Sequence, residues 1–528
     1  MLSYCGTRGK YVREVSHEIQ EQCAGVSAEA AKRRPGDTAV VDEFGSYTYK
    51  QLQDIAQRTA QRYPNTTWQI GAWSSWWKNA MTRLPSCWAR LFASGYYVPV
   101  DPSVPPVRLA HIVATLGSPL LVADEEALRG LQLEDACKIV SLEELHSQRA
   151  GIQQRDAVEP ASLSIDPAYV LFTSGSTGVP KGVVVSHGAI ISFIDEFVSE
   201  FEFDRSDRFA NQAPFDFDVS VKDIFGSLAV GATLVIVPRR LFMQPKALVE
   251  FLDEQRVTVM VWAVAALCMV YTFRAITSDS LTTVRKVLFS GEIMPLAHLK
   301  SLLASLPDAE FVNLYGPTEI TCNCLYHRVD RAKDGAAELP PGKSIRALRS
   351  PGGRRGGTAH RRAGPERRDH RARTSLALGY IGNREATEKA FAPNSPQFPL
   401  RRARVPHGRQ RDADGRGRSV FCGRKDNQIK YRGHRIELEE IDKAFEGFSD
   451  VDRCRCAFDS KKNRLCASTK ERLARKSFPV GRHHAPRFHE ADAHREGAEH
   501  AAEQEREGGP CDAPGIARRT GEAREADR

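Results

Sequence analysis

The sequence lacks a hydrophobic run long enough to cross a bilayer. Its longest apolar stretch, 260–273, falls short of the about 20 residues that a spanning helix needs, so it predicts a buried core element. No leader with a basic start and an apolar middle opens the sequence, which predicts that no secretory signal is present. The twelve cysteines show no paired metal-binding spacing and are typical of a reducing compartment. These absences predict a cytoplasmic protein without membrane insertion.

Aromatic side chains are missing from two arginine-rich stretches, 346–373 and 401–418. The formal net charge of +9 suggests a nucleic-acid partner, but such a surface normally interleaves aromatic residues as stacking platforms. Apolar periodicity also fails in these stretches. We therefore interpret the charge as solvated surface and predict no nucleic-acid partner.

Strand-like and helix-like blocks alternate between about residues 167 and 341. Strands are predicted at 168–173, 182–185, 233–237, 257–261, 284–289 and 311–314, and helices at 190–201, 246–254 and 296–306. This alternation is typical of an α/β fold with a mainly parallel sheet covered by helices on both faces. Ligands of such folds bind at the loops that leave the carboxyl ends of the strands.

A chain of 528 residues is long enough for more than one domain. We predict a large N-terminal domain over 1–420 and a small C-terminal α+β domain over 421–528. The regular pattern is scrambled at about 64–94, 346–373 and 401–418, and it is lost after about 467.

The strongest motif, LFTSGSTGVPKG, runs from Leu171 to Gly182 directly after a predicted strand. Glycines allow backbone amides to close on a phosphate, hydroxyls donate to its oxygens, and the lysine adds positive charge. The spacing differs from that of the Walker loop, in which Gly-Lys-Ser/Thr ends the motif. The residues expected to hold nucleotide phosphates are Thr173, Ser174, Gly175, Ser176, Thr177, Gly178 and Lys181.

Three further blocks follow in order: SGE at 290–292, NLYGPTE at 313–319 and GRKDNQIK at 423–430. Together with the phosphate loop they resemble the adenylate-forming superfamily, which contains acyl-CoA synthetases, peptide-synthetase adenylation domains and luciferases. The resemblance covers most of 167–341 and 420–445. It implies a large AMP-binding domain, a small mobile domain, and the use of ATP and Mg²⁺.

The resemblance also implies roles for single residues. Thr318 and Glu319 are the catalytic candidates: Thr318 would contact the AMP phosphate and Glu319 would hold Mg²⁺. Tyr315 would stack on adenine, and Asp426 would be the hinge of the small domain. The other implied nucleotide-binding residues are Gly291, Glu292, Asn313, Leu314, Gly316, Pro317 and Arg424.

The segment FDFDVS at 215–220 indicates which acid is activated. In the amino-acid-activating branch, the acid at the position of Asp218 pairs with the substrate ammonium, since a buried ammonium needs a charge partner. The segments around 219–225 and 322–324 resemble D-alanine–carrier protein ligases and related peptide-synthetase domains. The implied pocket is lined by Val219, Leu288, Ser290, Leu314 and Cys322.

Leucines in that lining favour a small amino acid, with D-alanine as the candidate, activated as an aminoacyl-adenylate. The acyl group would then pass to the phosphopantetheine thiol of a carrier protein. Two alternatives stay open: an acyl-CoA synthetase for a carboxylate without an amine, and a non-catalytic nucleotide-binding remnant.

Three elements of the family are missing from the sequence: a Tyr-Arg-Thr-Gly-Asp motif, a Gly-Glu-Ile/Leu turn and a C-terminal Asn-Gly-Lys whose lysine stabilises charge during adenylation. Back-translation suggests a cause, because codons for 405–410 permit Tyr-Arg-Thr-Gly-Asp in a shifted frame. Segments 76–82, 367–370 and 502–511 likewise permit family-like sequence. We therefore hypothesise frame slips in at least four places, which would leave the chain impaired; the alternative is a divergent member with genuine basic insertions.

Overall fold

A computed structural model of the chain describes part of its length. The described residues are 29–62, 87, 91, 95–101, 104–117, 120–123, 137–141, 144, 162–174, 180–273, 275–277, 279–334, 339–345, 375–391, 408–412, 419–424, 428–431, 434–446, 451–459 and 464–471. They group into two compact units, Met1–Glu437 and Leu438–Arg528. The boundary predicted after residue 420 stays a prediction. The stretches predicted to be scrambled lie almost entirely outside the described residues.

Strands and helices alternate along the described chain. The strands are β1 (Thr38–Asp42), β2 (Gly45–Thr48), β3 (Leu120–Ala123), β4 (Lys138–Ser141), β5 (Pro167–Thr173), β6 (Lys181–Ser186), β7 (Arg208–Asn211), β8 (Thr233–Ile236), β9 (Val259–Ala263), β10 (Lys286–Ser290), β11 (Glu310–Tyr315), β12 (Leu325–Arg328), β13 (Lys343–Ser344), β14 (Gly379–Tyr380), β15 (Gly408–Asp412), β16 (Ser419–Arg424), β17 (Gln428–Tyr431), β18 (His434–Glu437), β19 (Val451–Asp459) and β20 (Arg464–Glu471). The helices are α1 (Tyr49–Arg62), α2 (Pro106–Leu116), α3 (His187–Glu200), α4 (Val219–Val230), α5 (Pro245–Glu254), α6 (Val264–Thr272), α7 (Leu296–Ser305), α8 (Arg384–Phe391) and α9 (Leu438–Glu446).

Nine strands form the main sheet of the first unit, in the order β13-β12-β11-β10-β9-β7-β8-β1-β2. The six strands from β11 to β1 are mutually parallel, and β13, β12 and β2 add antiparallel edges. The predicted α/β fold with helices over a largely parallel sheet is therefore confirmed.

Both faces of this sheet are buried, because side chains alternate along each strand. In β9, Val259 and Val261 join the core cluster that contains α3 and α4, whereas Met260 and Trp262 join the cluster that contains α5, α6 and α7. The apolar run 260–273 is accordingly the end of one buried strand followed by the helix α6, which buries one face and exposes Met269.

The strands β5 and β6 depart from the parallel pattern. They form an antiparallel hairpin within a separate three-stranded sheet that also contains β14. The hairpin connects residues 173 and 181, so the predicted phosphate loop joins two neighbouring antiparallel strands. The helix predicted at 190–201 begins earlier, at His187, because the Ser186 side chain accepts the Ala189 N–H and caps the first turn.

The second unit contains α9 and the β19–β20 hairpin. Strand β20 continues to Glu471, beyond the predicted end of the pattern at about 467. Asp442, Cys454 and Cys456 bring their ligand atoms within 4.8 Å of one another, a proximity that the linear cysteine spacing did not suggest. The Asp442 carboxylate already accepts the Cys456 N–H at 2.6 Å and pairs with Arg455 at 3.3 Å, which explains its place in the fold.

Among the described helices, none has both the length and the apolar character that crossing a bilayer requires.

Candidate active site

Three chemistry-bearing segments leave the same edge of the main sheet. Strands β7, β10 and β11 are parallel and end at Asn211, Ser290 and Tyr315. Ser290 pairs in register with Leu314 on the neighbouring strand. The segments that carry the predicted site residues therefore emerge side by side at the carboxyl ends of the strands, where α/β folds place their ligands.

Asp218 lies at the start of α4 and is held by the loop that follows β11. Its side-chain Oδ2 accepts a hydrogen bond of 2.8 Å from Oγ1 of Thr318, 100 positions further along the chain. Its backbone oxygen accepts the Cys322 thiol at 3.0 Å. The structure thus joins the residue predicted to bind the substrate ammonium to the residue predicted to contact the AMP phosphate.

The loop between β11 and β12 is tightly wound. A Cβ at Gly316 would lie 2.5 Å from the Cα of Asn323, so only glycine fits there. Thr321 and Cys322 both have positive φ values, 55° and 70°, which cost energy in non-glycine residues and are concentrated at functional sites. The Cys324 N–H donates to the Tyr315 carbonyl at 2.9 Å and closes the loop. This winding directs Cys322 towards Asp218.

Lys222 is a residue of this site that the sequence analysis missed. It lies one helical turn after Asp218, is only 1% exposed, and donates from Nζ to Asn323 Oδ1 at 2.6 Å and to Ser290 Oγ at 3.3 Å. Burial lowers the pKa of its ammonium, while the nearby Asp218 carboxylate opposes that change. A lysine inside a mainly apolar stretch of α4 that is buried throughout was the signal that could have revealed it. We call Asp218, Lys222, Ser290, Cys322 and Asn323 the pocket cluster.

Two further acids lie near the start of α4, Asp223 fully buried and Asp216 partly exposed. Asp223 accepts the Asn211 amide at 3.1 Å, and burial raises the pKa of its carboxyl well above the ordinary value. Burial also raises the pKa of Asp216 to about 7, and its Oδ1 has no hydrogen-bond partner among the described residues. Asp223 and Asp216 therefore favour their neutral forms at moderately acidic pH.

A second group of residues lies at the base of the predicted phosphate loop. Thr173 and Lys181 face each other across the hairpin, and the Lys181 Nζ lies 5.7 Å from the ring centroid of Tyr380. The Tyr380 hydroxyl donates to Glu319 Oε1 at 2.9 Å, and Glu319 is 5% exposed. The structure therefore brings the loop lysine and the predicted magnesium ligand to one tyrosine, the lysine over its ring and the glutamate at its hydroxyl. We call Thr173, Lys181, Glu319 and Tyr380 the nucleotide-side cluster.

The remaining predicted residues fall into three groups. Ser174 is buried at the end of β5, while Gly175, Ser176, Thr177 and Gly178 lie outside the described residues. Gly291, which has a φ of 103°, and Glu292 follow directly after β10. The Asn313 side chain donates a hydrogen bond of 3.1 Å to the Pro340 carbonyl. Pro317 precedes a short 3₁₀ turn at Thr318–Ile320. Of Arg424 the structure describes only the backbone, at the end of β16, and Asp426 lies outside the described residues.

The structure places the residues of the predicted pocket lining close together. Leu288, Ser290, Leu314 and Cys322 are buried, and Val219 opens α4 beside Asp218. Leu288, Leu314 and Cys322 belong to the same core cluster. The observed lining is therefore apolar except for the polar groups of the pocket cluster.

These features define an α/β protein that places an acid-containing pocket and a phosphate-loop hairpin at one end of a parallel sheet. Residues 27–350 match the AMP-binding family, described as AMP-binding enzyme. The chain belongs to this family, which confirms the predicted adenylate-forming superfamily and the predicted enzyme class. Members of this class use ATP.

Curated relatives and a solved structure agree with this assignment. The L-proline–[L-prolyl-carrier protein] ligase of Pseudomonas fluorescens is 32% identical over 427 residues, which cover 78% of this chain and 81% of the relative. The D-alanine–D-alanyl carrier protein ligase of Bacillus anthracis is 29% identical over 440 residues, covering 79% and 82%. The crystal structure of IdnL1 is 27% identical with a TM-score of 0.65 and covers 90% of this chain and 94% of that one.

Proposed function

We propose that this AMP-forming acid–thiol ligase activates a small amino acid with ATP and transfers it to the phosphopantetheine thiol of a carrier protein. The observation that carries the proposal is the hydrogen bond of 2.8 Å between Asp218 and Thr318. It places an acid suited to an ammonium next to a hydroxyl suited to a phosphate. The substrate of such a site has an amine close to the carboxylate that reacts.

The reaction has two balanced steps. In the first, an oxygen of the substrate carboxylate attacks the α-phosphorus of ATP and pyrophosphate leaves. In the second, the carrier thiol attacks the acyl carbonyl, its proton is lost, and AMP leaves. Asp218 orients the ammonium throughout, while the hydroxyls of Thr173 and Ser174 and the charge of Lys181 hold phosphate oxygens.

The nucleotide-side cluster fits a magnesium ion by its donor chemistry. Glu319 offers a carboxylate, the hard oxygen ligand that Mg²⁺ prefers, and it is buried beside Tyr380. Bound there with ATP, the ion would neutralise charge on the phosphates. Glu319 is held in place for that role by the hydroxyl of Tyr380.

The lining supports a small substrate. Leu288 and Leu314 fill the pocket wall, and Cys322 sits against the backbone of Asp218. D-alanine and L-proline are the amino acids in the names of the two matched ligases, so D-alanine is the reference substrate and L-proline the second.

The second step depends on residues that only the sequence supports. Asp426 stands where the resemblance places the hinge, and Arg424, two residues earlier, is an implied nucleotide-binding residue; we propose that the small domain turns at Asp426 between adenylation and thioester formation. No disulfide joins the cysteines whose side chains the structure describes, which supports a cytoplasmic location.

We also propose that this chain adenylates slowly, because its sequence lacks the family Asn-Gly-Lys. A preorganised positive charge at the reacting carboxylate is normally a large contribution to catalysis. The second candidate function, non-catalytic nucleotide binding, rests on the same missing lysine.

Exchange of labelled pyrophosphate into ATP tests these proposals. The purified chain and a frame-corrected version would each be assayed with D-alanine, L-proline and propionate, which is alanine without its amine. We expect amino-acid-dependent exchange in the corrected chain and much slower exchange in the chain itself. Equal exchange with propionate would instead support an acyl-CoA synthetase. Tight ATP binding without exchange in either chain would support the non-catalytic alternative.

A further inference from the structure

A fully buried cation lies in the substrate pocket. Lys222 follows Asp218 by one turn of α4, and residues at this spacing lie on the same face of a helix. Its Nζ touches Ser290, at the end of β10, and Asn323, in the loop after β11. Both partners belong to the segments that line the predicted pocket.

The hydrogen bonds of Lys222 all go to neutral groups, although the carboxyl groups of Asp218 and Asp223 are close enough to act on its charge. A lysine ammonium has three donors and a full positive charge, and burying it without an ionic partner is costly. Asn323 and Ser290 accept two hydrogen bonds, but both are neutral. No ion pair joins this ammonium to a carboxylate within the part of the chain that the structure describes.

The neighbouring acids are engaged elsewhere. Asp218 accepts the Thr318 hydroxyl at 2.8 Å, and Asp223 accepts the Asn211 amide at 3.1 Å. Burial also raises the pKa of Asp223, which favours its neutral form. Lys222 and Asp218 thus lie one turn apart on the same helix without forming an ion pair with each other. The helix carries one cationic and one anionic group at the predicted pocket.

We propose that Lys222 makes this pocket select a small amino acid whose side chain ends in a hydrogen-bond acceptor, with a carboxylate binding best. The inference rests on the proposed function and narrows its substrate class. The substrate ammonium would pair with Asp218 and the side-chain oxygen with Lys222, in place of the longer contact to Ser290. The reacting carboxylate would stay available for attack on ATP, and each charge in the pocket would have a partner.

Equilibrium binding tests this selection without relying on catalysis. Stable aminoacyl-adenylate mimics, the aminoacyl sulfamoyl adenosines of alanine, proline, serine and aspartate, would be titrated into the purified chain by calorimetry. Hydrogen bonds to charged groups are worth about 10- to 100-fold in affinity. We therefore expect the aspartyl compound to bind at least about 10-fold more tightly than the alanyl compound, with the seryl compound between them.

Variants separate recognition from a structural role. Lys222→Met keeps the length of the side chain and removes its charge, so it should lose the preference for the aspartyl compound over the alanyl compound. Lys222→Arg should retain the preference. The matched control is Lys246→Met, on the exposed face of α5, which should bind all four compounds like the unaltered chain.

Two results would overturn the proposal. One is alanyl or prolyl binding as tight as aspartyl binding in the unaltered chain. The other is an equal loss of affinity for all four compounds in a Lys222→Met protein that is folded. A failure of the proposed function would give a different result. Sulfamoyl adenosine without an amino acid would then bind as tightly as every aminoacyl compound, and the inference about Lys222 would fail together with the proposed function.

Discussion

The nucleotide-side cluster and the pocket cluster are built in different ways. The nucleotide-side cluster comes from a hairpin and from Glu319, which follows a glycine-containing turn, and these segments are recognisable as short motifs. The pocket cluster is assembled from three segments, around residues 218, 290 and 322, whose side chains meet through buried polar contacts. The comparison teaches that the residues predicted to bind phosphate lie in short local motifs, whereas the residues predicted to recognise the acid are brought together from distant parts of the chain.

We expect the largest effect on ligand binding from a substitution in the pocket cluster. Asp218→Asn keeps an oxygen for the Thr318 hydroxyl but removes the charge that the substrate ammonium needs. Breaking one partner of a buried charge pair costs about 3–5 kcal/mol, so binding of an aminoacyl sulfamoyl adenosine should weaken by about 100- to 4,000-fold. ATP alone should bind as before. Calorimetry with both ligands checks this difference, and a parallel loss of ATP binding would contradict the separation of the two clusters.

The loop that joins the two clusters should tolerate no side chain at Gly316. Gly316→Ala would place a Cβ 2.5 Å from the Cα of Asn323, and backbone atoms cannot move aside cheaply. We expect a loss of about 3 kcal/mol in the free energy of unfolding, measured by urea denaturation.

The matched control is Gly226→Ala, in α4, where the nearest atom is 3.8 Å away. Replacing a helical glycine with alanine should stabilise the protein by about 0.5–1 kcal/mol. Equal destabilisation by both substitutions would refute the role given to the close packing at Gly316.

Asp216, in the segment before α4, should make the stability of the protein depend on pH. Burial raises the pKa of Asp216 to about 7 from its ordinary 3.8, so the folded state binds the proton more tightly between these values. Stability should therefore fall as pH rises from about 4 to about 7, by linkage. Because Asp216 is partly exposed, we expect about 2 kcal/mol rather than the roughly 4 kcal/mol of a fully buried group.

Asp216→Asn should remove this part of the pH dependence. Urea denaturation of both proteins at several pH values between about 4 and about 7 gives the free energy of unfolding as a function of pH. The contribution of Asp216 is the difference between the slopes of the two proteins. Identical slopes would show that the Asp216 carboxyl titrates alike in the folded and unfolded states.

We expect the smallest effect on ligand binding from a substitution in the nucleotide-side cluster. Tyr380→Phe removes the hydroxyl that donates to Glu319 but keeps the ring beside Lys181. A hydrogen bond to a charged group is worth about 1.5–3 kcal/mol, and water can replace part of it at this partly exposed tyrosine. We expect about 1 kcal/mol, seen as roughly fivefold weaker ATP binding in the presence of magnesium. Unchanged affinity would mean that Glu319 is positioned without Tyr380.

Much of the fold was predictable from local pattern. Strand β10 and helix α7 were found within a residue or two of their bounds, since their apolar residues recur at the strand and helix periods. The antiparallel pairing of β5 with β6 was not predicted, because two short apolar runs carry no information about direction. The start of α3 was missed for a different reason: a serine cap, rather than apolar spacing, sets where that helix begins.

Within the site, Asp218, Ser290 and Cys322 were predicted and are brought together as a buried group. Lys222 was missed because a lysine in a helix normally extends to solvent, and only the packing of Ser290 and Asn323 around it shows otherwise. The roles of Arg424 and Asp426 stay predictions.

The sequence by itself determined the alternation of strands and helices, the phosphate loop and the turn that carries Glu319. Each of these depends on residues close together in the chain, so periodicity and residue type suffice. Only the tertiary structure decided that Asp218 meets Thr318, that Lys222 is buried between Ser290 and Asn323, and that Tyr380 supports Glu319. Those contacts join residues between 61 and 101 positions apart, and their geometry follows from how the strands lie side by side in the sheets.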